Sequence, residues 1–167
     1  HRNDWFAKLV GFSERSPAEV QQFISVHDGR LTSKVNGKTF QSGRLEVVSL
    51  AELRERSRRV SQPGGRLKLD ELVGDASELH ADPSNAGAMF QVASQFNLLE
   101  MVSPSVTPEQ GIGIYGHDYT QGPACAIAWG AGTISRNYFV QLEDQVGQSQ
   151  NVQIDCLDDF GKSLGHV

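Results

Sequence analysis

A basic excess, long apolar runs and paired cysteines are all missing from this chain. Lysine and arginine number 15 against 20 aspartates and glutamates, a net charge of -5 at neutral pH. A protein built to coat nucleic acid carries the opposite balance, so a nucleic-acid partner is not expected and an anionic ligand has to be met by local backbone donors. No stretch reaches the roughly 18–20 apolar residues that cross a bilayer, and the opening HRNDWFAKLVGF lacks the apolar centre of a signal peptide. A soluble chain without a membrane partner is expected. The two cysteines, Cys125 and Cys156, form no Cys-x-x-Cys pair, which favours reduced, packed thiols in a cytoplasmic setting over a disulfide. The P-loop, His-Glu-x-x-His and Gly-x-Ser-x-Gly patterns are also missing, and with them the marks of nucleotide hydrolysis, zinc proteolysis and α/β-hydrolase chemistry. Five histidines are scattered, so neither a metal site nor a cofactor is indicated.

What is present suits one domain: 167 residues, 38% apolar and 21% charged, enough to bury roughly 70% of the surface of the unfolded chain. Trp5, Phe6, Leu9, Val10 and Phe12 suit a segment docked on a core. Ser16-Pro17-Ala18-Glu19 is a helix start, with a capping serine, a proline where its missing N–H costs nothing and an acid three residues on; the helix is expected to run to about residue 25. Asn36-Gly37 between 31–35 and 38–40 predicts a hairpin. A short strand is expected at 44–48. Ser49 with Glu52 opens a helix in which Leu50, Leu53 and Val60 should face inward. The arginines at 54, 56, 58 and 59, interleaved with two glutamates, make a solvated face the simpler reading than a nucleic-acid surface.

The breaker SQPGG at 61–65 separates this N-terminal portion, 1–65, from 66–167. Strands are expected over 66–73 and 88–96, the second buried on both faces. Residues 104–123 turn to glycine, proline and polar types, a long irregular segment of the kind that is functional or disordered. One helix from Pro123 to about residue 138, rich in small residues, and a last helix over 156–164 complete the pattern.

Gly74-Asp75, the run MFQVASQFN ending at Asn97, the loop GIGIYGHDYTQGP and the small-residue helix follow one another in an order that resembles the macrodomain, an ADP-ribose-binding fold. The run DYTQGPACAIAWGAGTISRNYF is similar to a divergent branch that includes a bacterial effector removing ADP-ribose from an arginine of ubiquitin. The resemblance implies an α/β fold, a three-layer macrodomain-like mixed sheet with helices on both faces, here with an N-terminal hairpin and helix decoration over 1–65 and the core over 66–167. It implies ADP-ribosylhydrolase activity on a mono-ADP-ribosylated protein, with ubiquitin among the candidates. The expected setting is a monomer in the cytoplasm, or in the host cytosol for a secreted effector. A reader that binds ADP-ribose without cleaving it is the alternative, and an interaction module with no nucleotide site a third.

The same resemblance distributes roles. Asp75 would accept from the adenine amine, although an aspartate there also suits a helix cap. Asn97 would hold the distal ribose. Gly111, Ile112, Gly113 and Gly122, with Gly116, would bring backbone amides to the diphosphate, as glycine-rich loops ahead of helices do; a plain flexible turn is the competing account. Tyr115 or Tyr119 would stack on the ligand, with Thr120 and Gln121 as hydrogen-bond partners. Cleaving an N-glycosidic bond calls for a carboxylate near the ribose, for which Asp118 is the first candidate and Glu109 the second. His117 and Arg136 are simpler as a surface residue and a helix-end cation. Two departures stand out. Only the last asparagine of the family's Asn-Ala-Ala-Asn is kept, and its second diphosphate loop has no counterpart before Val167, so that on this resemblance either the core is truncated or the pocket closes differently.

Overall fold

The computed structural model describes residues 4–46, 48–60, 66, 68–91, 107–142, 144–154 and 165. It is a mixed α/β structure with six α-helices and two small antiparallel sheets among the described residues. In order these are α1 (Trp5–Val10), α2 (Pro17–Phe23), β1 (Ile24–His27), β2 (Arg30–Ser33), β3 (Thr39–Gln41), α3 (Leu50–Val60), α4 (Ala76–Ala81), α5 (Gln121–Ala128), α6 (Gly130–Tyr138), β4 (Gln141–Leu142) and β5 (Gln145–Val146). No helix among the described residues is long and apolar enough to cross a membrane.

Local chemistry sets the starts of several helices. Ser16 Oγ accepts from the Glu19 amide at 3.2 Å and Pro17 opens α2. Ser49 Oγ accepts from the Glu52 amide at 3.1 Å ahead of α3. Helix α2 stops at Phe23, earlier than its pattern suggests, because Ile24 turns into β1. Asp28 and Gly29, at φ 49 and 71, then form the two-residue turn that pairs β1 with β2, His27 opposite Arg30. Two positive φ angles in succession are what a tight hairpin requires, and Asp-Gly supplies them. The Asn36-Gly37 turn also forms, but within the longer connection between β2 and β3, where Asn36 Oδ1 accepts from the Lys38 amide and Nδ2 donates to the Leu9 carbonyl, each at 3.0 Å.

The hydrophobic core joins the two ends of the described chain. Trp5, Phe6, Val10, Val20, Ile24 and Leu31 pack with Ile112, Tyr115, Ala131, Ile134 and Tyr138 in one cluster. An edge-to-face series Trp5–Phe6–Phe12–Phe23, with ring centres 5.3–5.9 Å apart, runs along one side of it. The segment 5–31 is thus built into the same core as 112–138.

Other expectations give way. The helix predicted over 123–138 is two helices, since Trp129 leaves helical geometry at ψ 49. Thr133 Oγ1 donates to the Ala126 carbonyl at 2.6 Å across the break. Gly130 lies so close to α1 that an added Cβ would sit 3.0 Å from the Trp5 ring and 3.1 Å from Leu9, which accounts for a glycine just inside α6. Leu50, Leu53 and Val60 do not face inward: they are 61%, 48% and 75% exposed, and no residue of α3 is buried. The helix is dressed with ion pairs, Arg56 with Glu52 and Glu46, and Arg58 and Arg59 with Glu55. The arginine face is solvated and paired. Residues 44–46 and 48, and the described part of 66–73, form no strand, since no segment among the described residues supplies a ladder. Residues 88–91 are likewise irregular, with Met89 exposed. The remainder of the 88–96 segment and the 156–164 helix lie outside the described residues.

Ser33, fully buried, donates from Oγ to the Val10 carbonyl at 2.6 Å and accepts from the Val35 amide at 3.2 Å, tying β2 to the end of α1. Replacing it by alanine strands a buried carbonyl. Ser33→Ala should lower the unfolding free energy by about 1–3 kcal/mol in urea denaturation; a change within about 0.3 kcal/mol would show that this bond does not hold α1 to the sheet.

Candidate functional site

The irregular segment ahead of α5 begins with a 3₁₀ turn, Pro108–Gln110, followed by a second, Gly113–His117. Gly111 joins them at φ 88, in the left-handed region that favours glycine. Its neighbour Ile112 is only 2% exposed and is held from three directions. The side chain is in the core, the carbonyl accepts from Trp5 Nε1 at 3.3 Å, and the amide donates to Glu14 Oε1 at 3.0 Å.

Glu14 lies in the irregular link between α1 and α2, far away in sequence. Its other oxygen, Oε2, accepts from the Gly113 amide at 2.6 Å, and the buried hydroxyl of Tyr138 donates to Oε1. One carboxylate therefore takes two consecutive loop amides and a core phenol. Both glycines make room for it: a Cβ at Gly111 would stand 2.5 Å from Oε2, and one at Gly113, 2.8 Å. The carboxylate and desolvation together push the Tyr138 pKa strongly upward, desolvation being the larger cause. Burial likewise raises Tyr115, to about 12. Tyr115 is 7% exposed and belongs to the core.

A second polar network fixes the loop's other end. Asn137 Nδ2 donates to the Pro108 carbonyl at 3.2 Å, and Gln148 Nε2 donates to Asn137 Oδ1 at 3.3 Å. Glu109 Oε1 accepts from the Gln150 amide at 2.7 Å. Arg136 is half-buried, which lowers its pKa, and its Nη2 donates to the Ile154 carbonyl at 3.4 Å.

Beyond Tyr115 and the buried Gly116 the loop emerges. His117, Asp118, Tyr119, Thr120 and Gln121 are all exposed, Tyr119 at 75%. Asp118 Oδ1 accepts from the Thr120 amide at 2.8 Å and from Thr120 Oγ1 at 2.7 Å. Gly122, Pro123 and Ala124 then bury the first turn of α5. Asp75 caps α4, its Oδ1 accepting from the Ser77 amide at 2.7 Å, and α4 packs against α5. Asn97 lies outside the described residues.

The structure thus places Asp75 and Asp118 ahead of two helices that touch, with Thr120, Gln121 and Gly122 beside Asp118. Gly111, Ile112 and Gly113 are set deeper, with the amides of Ile112 and Gly113 on Glu14. Tyr115 is a core residue and Glu109 a rim tie to 150. Sequence reasoning passed over Glu14 and Trp5 as parts of this region. No local pattern marks them, because each acts on a residue about a hundred positions away. Compared with protein-family models, with curated proteins and with solved structures, the chain matches none.

Tyr115 carries a pH consequence. Its folded pKa of about 12 exceeds its ordinary value of 10.0. The unfolded chain therefore releases that proton first, and the stabilisation is complete below pH 10 and lost as pH climbs toward 12. Urea denaturation across that range should show stability falling, with a shallower slope in Tyr115→Phe; identical slopes would mean that Tyr115 is not the titrating group.

Proposed function

We propose that the chain is a macrodomain-like domain that binds ADP-ribose and removes mono-ADP-ribose from a modified protein, with arginine as the linked residue. Under this reading its fold is a three-layer mixed sheet with helices on both faces. The observation that carries it is the packing of α4, capped by Asp75, on α5, which follows the loop bearing Asp118. Asp75 would meet the adenine amine and Asp118 the distal ribose. The resemblance of the segment from Gly74 to Tyr138 supplies the identity of the ligand.

Asp118 suits the chemical role in two respects. Its exposure admits a substrate attached to another protein, and anchoring of Oδ1 by Thr120 leaves Oδ2 for a water or a ribose hydroxyl. Breaking the bond between ribose C1″ and the arginine nitrogen builds positive charge on the ring. A fixed carboxylate stabilises that charge and takes the proton of the attacking water, while the leaving guanidine is protonated. Glu109 serves less well, since its carboxylate holds the Gln150 amide. Modified ubiquitin is a candidate substrate, met by a monomeric domain in its own cytoplasm or in that of a host.

The same geometry supports a second reading. An aspartate whose carboxylate accepts from the residue two places on is a turn-forming aspartate, and Asp118 is one. If that is its whole task, the domain is a reader that binds ADP-ribose and cleaves nothing.

Calorimetry with ADP-ribose and a release assay on mono-ADP-ribosylated arginine protein separate the two. For the hydrolase, Asp118→Ala abolishes release and leaves binding within about tenfold, or about 1.4 kcal/mol. Binding without release in the wild type supports the reader, and no heat at millimolar ADP-ribose removes both.

A further inference from the structure

We infer that the Gly111–Gly113 amide pocket is an internal carboxylate site owned by Glu14, which makes Glu14 the positioning residue of the loop bearing Asp118 and excludes those amides from binding phosphate. The loop-positioning part rests on the reading just given; the ownership of the amides does not. Two consecutive amides each face a different oxygen of one carboxylate, at 3.0 and 2.6 Å. Tyr138, 2% exposed, gives its hydroxyl to the same group, so departure of Glu14 would strand a phenol inside the core. Both flanking glycines are shaped to Glu14, since a side chain at either would strike its Oε2. Their presence is thereby explained without a nucleotide.

Exclusion of phosphate follows from charge and space. A diphosphate approaching Ile112 and Gly113 would meet a carboxylate already satisfied by three donors, and would have to displace it from a residue pinned on its far side by Trp5. Ligand phosphates would instead be met farther along, toward the exposed stretch from His117 to Gln121. Glu14 acts on that stretch only through the fixed base of the loop.

The test uses the whole chain with Glu14→Ala and sodium formate, whose single carboxylate fits the vacated place. Hydrogen exchange of the Ile112 and Gly113 amides should speed up by about 10- to 100-fold in the variant. Formate should restore protection and raise the melting temperature of the variant above that in equal sodium chloride, with no such effect on the wild type. In the release assay kcat should fall more than KM and recover in part with formate. Unchanged exchange at both amides would overturn the inference. Should Glu14→Ala not fold, Glu14→Gln serves: its amide nitrogen cannot accept, so one of the two backbone amides should lose protection and the other keep it, whereas equal protection of both overturns the inference. If the wild type binds no ADP-ribose, the proposed function fails while exchange and formate still decide the ownership of the amides.

Discussion

The carboxylate of Glu14 is the point on which the described structure turns. It gathers the Ile112 and Gly113 amides and the Tyr138 hydroxyl, donors that come from two distant parts of the chain and that would otherwise be buried or half-buried without partners. A buried polar group left unpaired costs more than its hydrogen bond would have gained, so a single acceptor that satisfies three donors removes several penalties together. The link between α1 and α2 is thereby fixed to the segment ahead of α5. The hydrophobic cluster around Trp5, Phe6 and Ile134 then closes over a polar crossing that is already satisfied.

From this crossing the loop has two unlike ends. Its base is held by Trp5, Glu14 and Asn137, from both sides of the backbone. Its tip, 117–121, is exposed and organised chiefly by the Asp118–Thr120 turn. A fixed base with an open tip is how a domain presents a few polar groups to a ligand without spending core stability on them. The break at Trp129 serves the same geometry, since it lets α6 swing Gly130 against Trp5 while α5 keeps its first turn buried against neighbouring structure.

Helix starts were legible because their chemistry is local. Ser16, Ser49 and Asp75 each accept an amide two or three residues on, and the signal and the bond share one short stretch. The Asn36-Gly37 hairpin was legible in the same way, and the Asp28-Gly29 turn is an equally local signal that lies at the end of the pattern read as α2. Leu50, Leu53 and Val60 show the limit of periodicity, which marks a face without saying whether anything covers it. For the candidate site, the exposed acid at 118 and its threonine could be picked out as a polar loop before a helix. The use made of the glycine amides could not.

The sequence by itself determined the caps, the turns, the paired arginine face of α3 and the need of the aromatic N-terminus for a core, all through contacts within a few residues. Only the tertiary structure decided what the glycines at 111 and 113 are for. Glycine announces room for a close neighbour but not which one, and the neighbour here is a glutamate about a hundred residues earlier, brought there by the burial of Trp5, Ile112 and Tyr138 in one cluster.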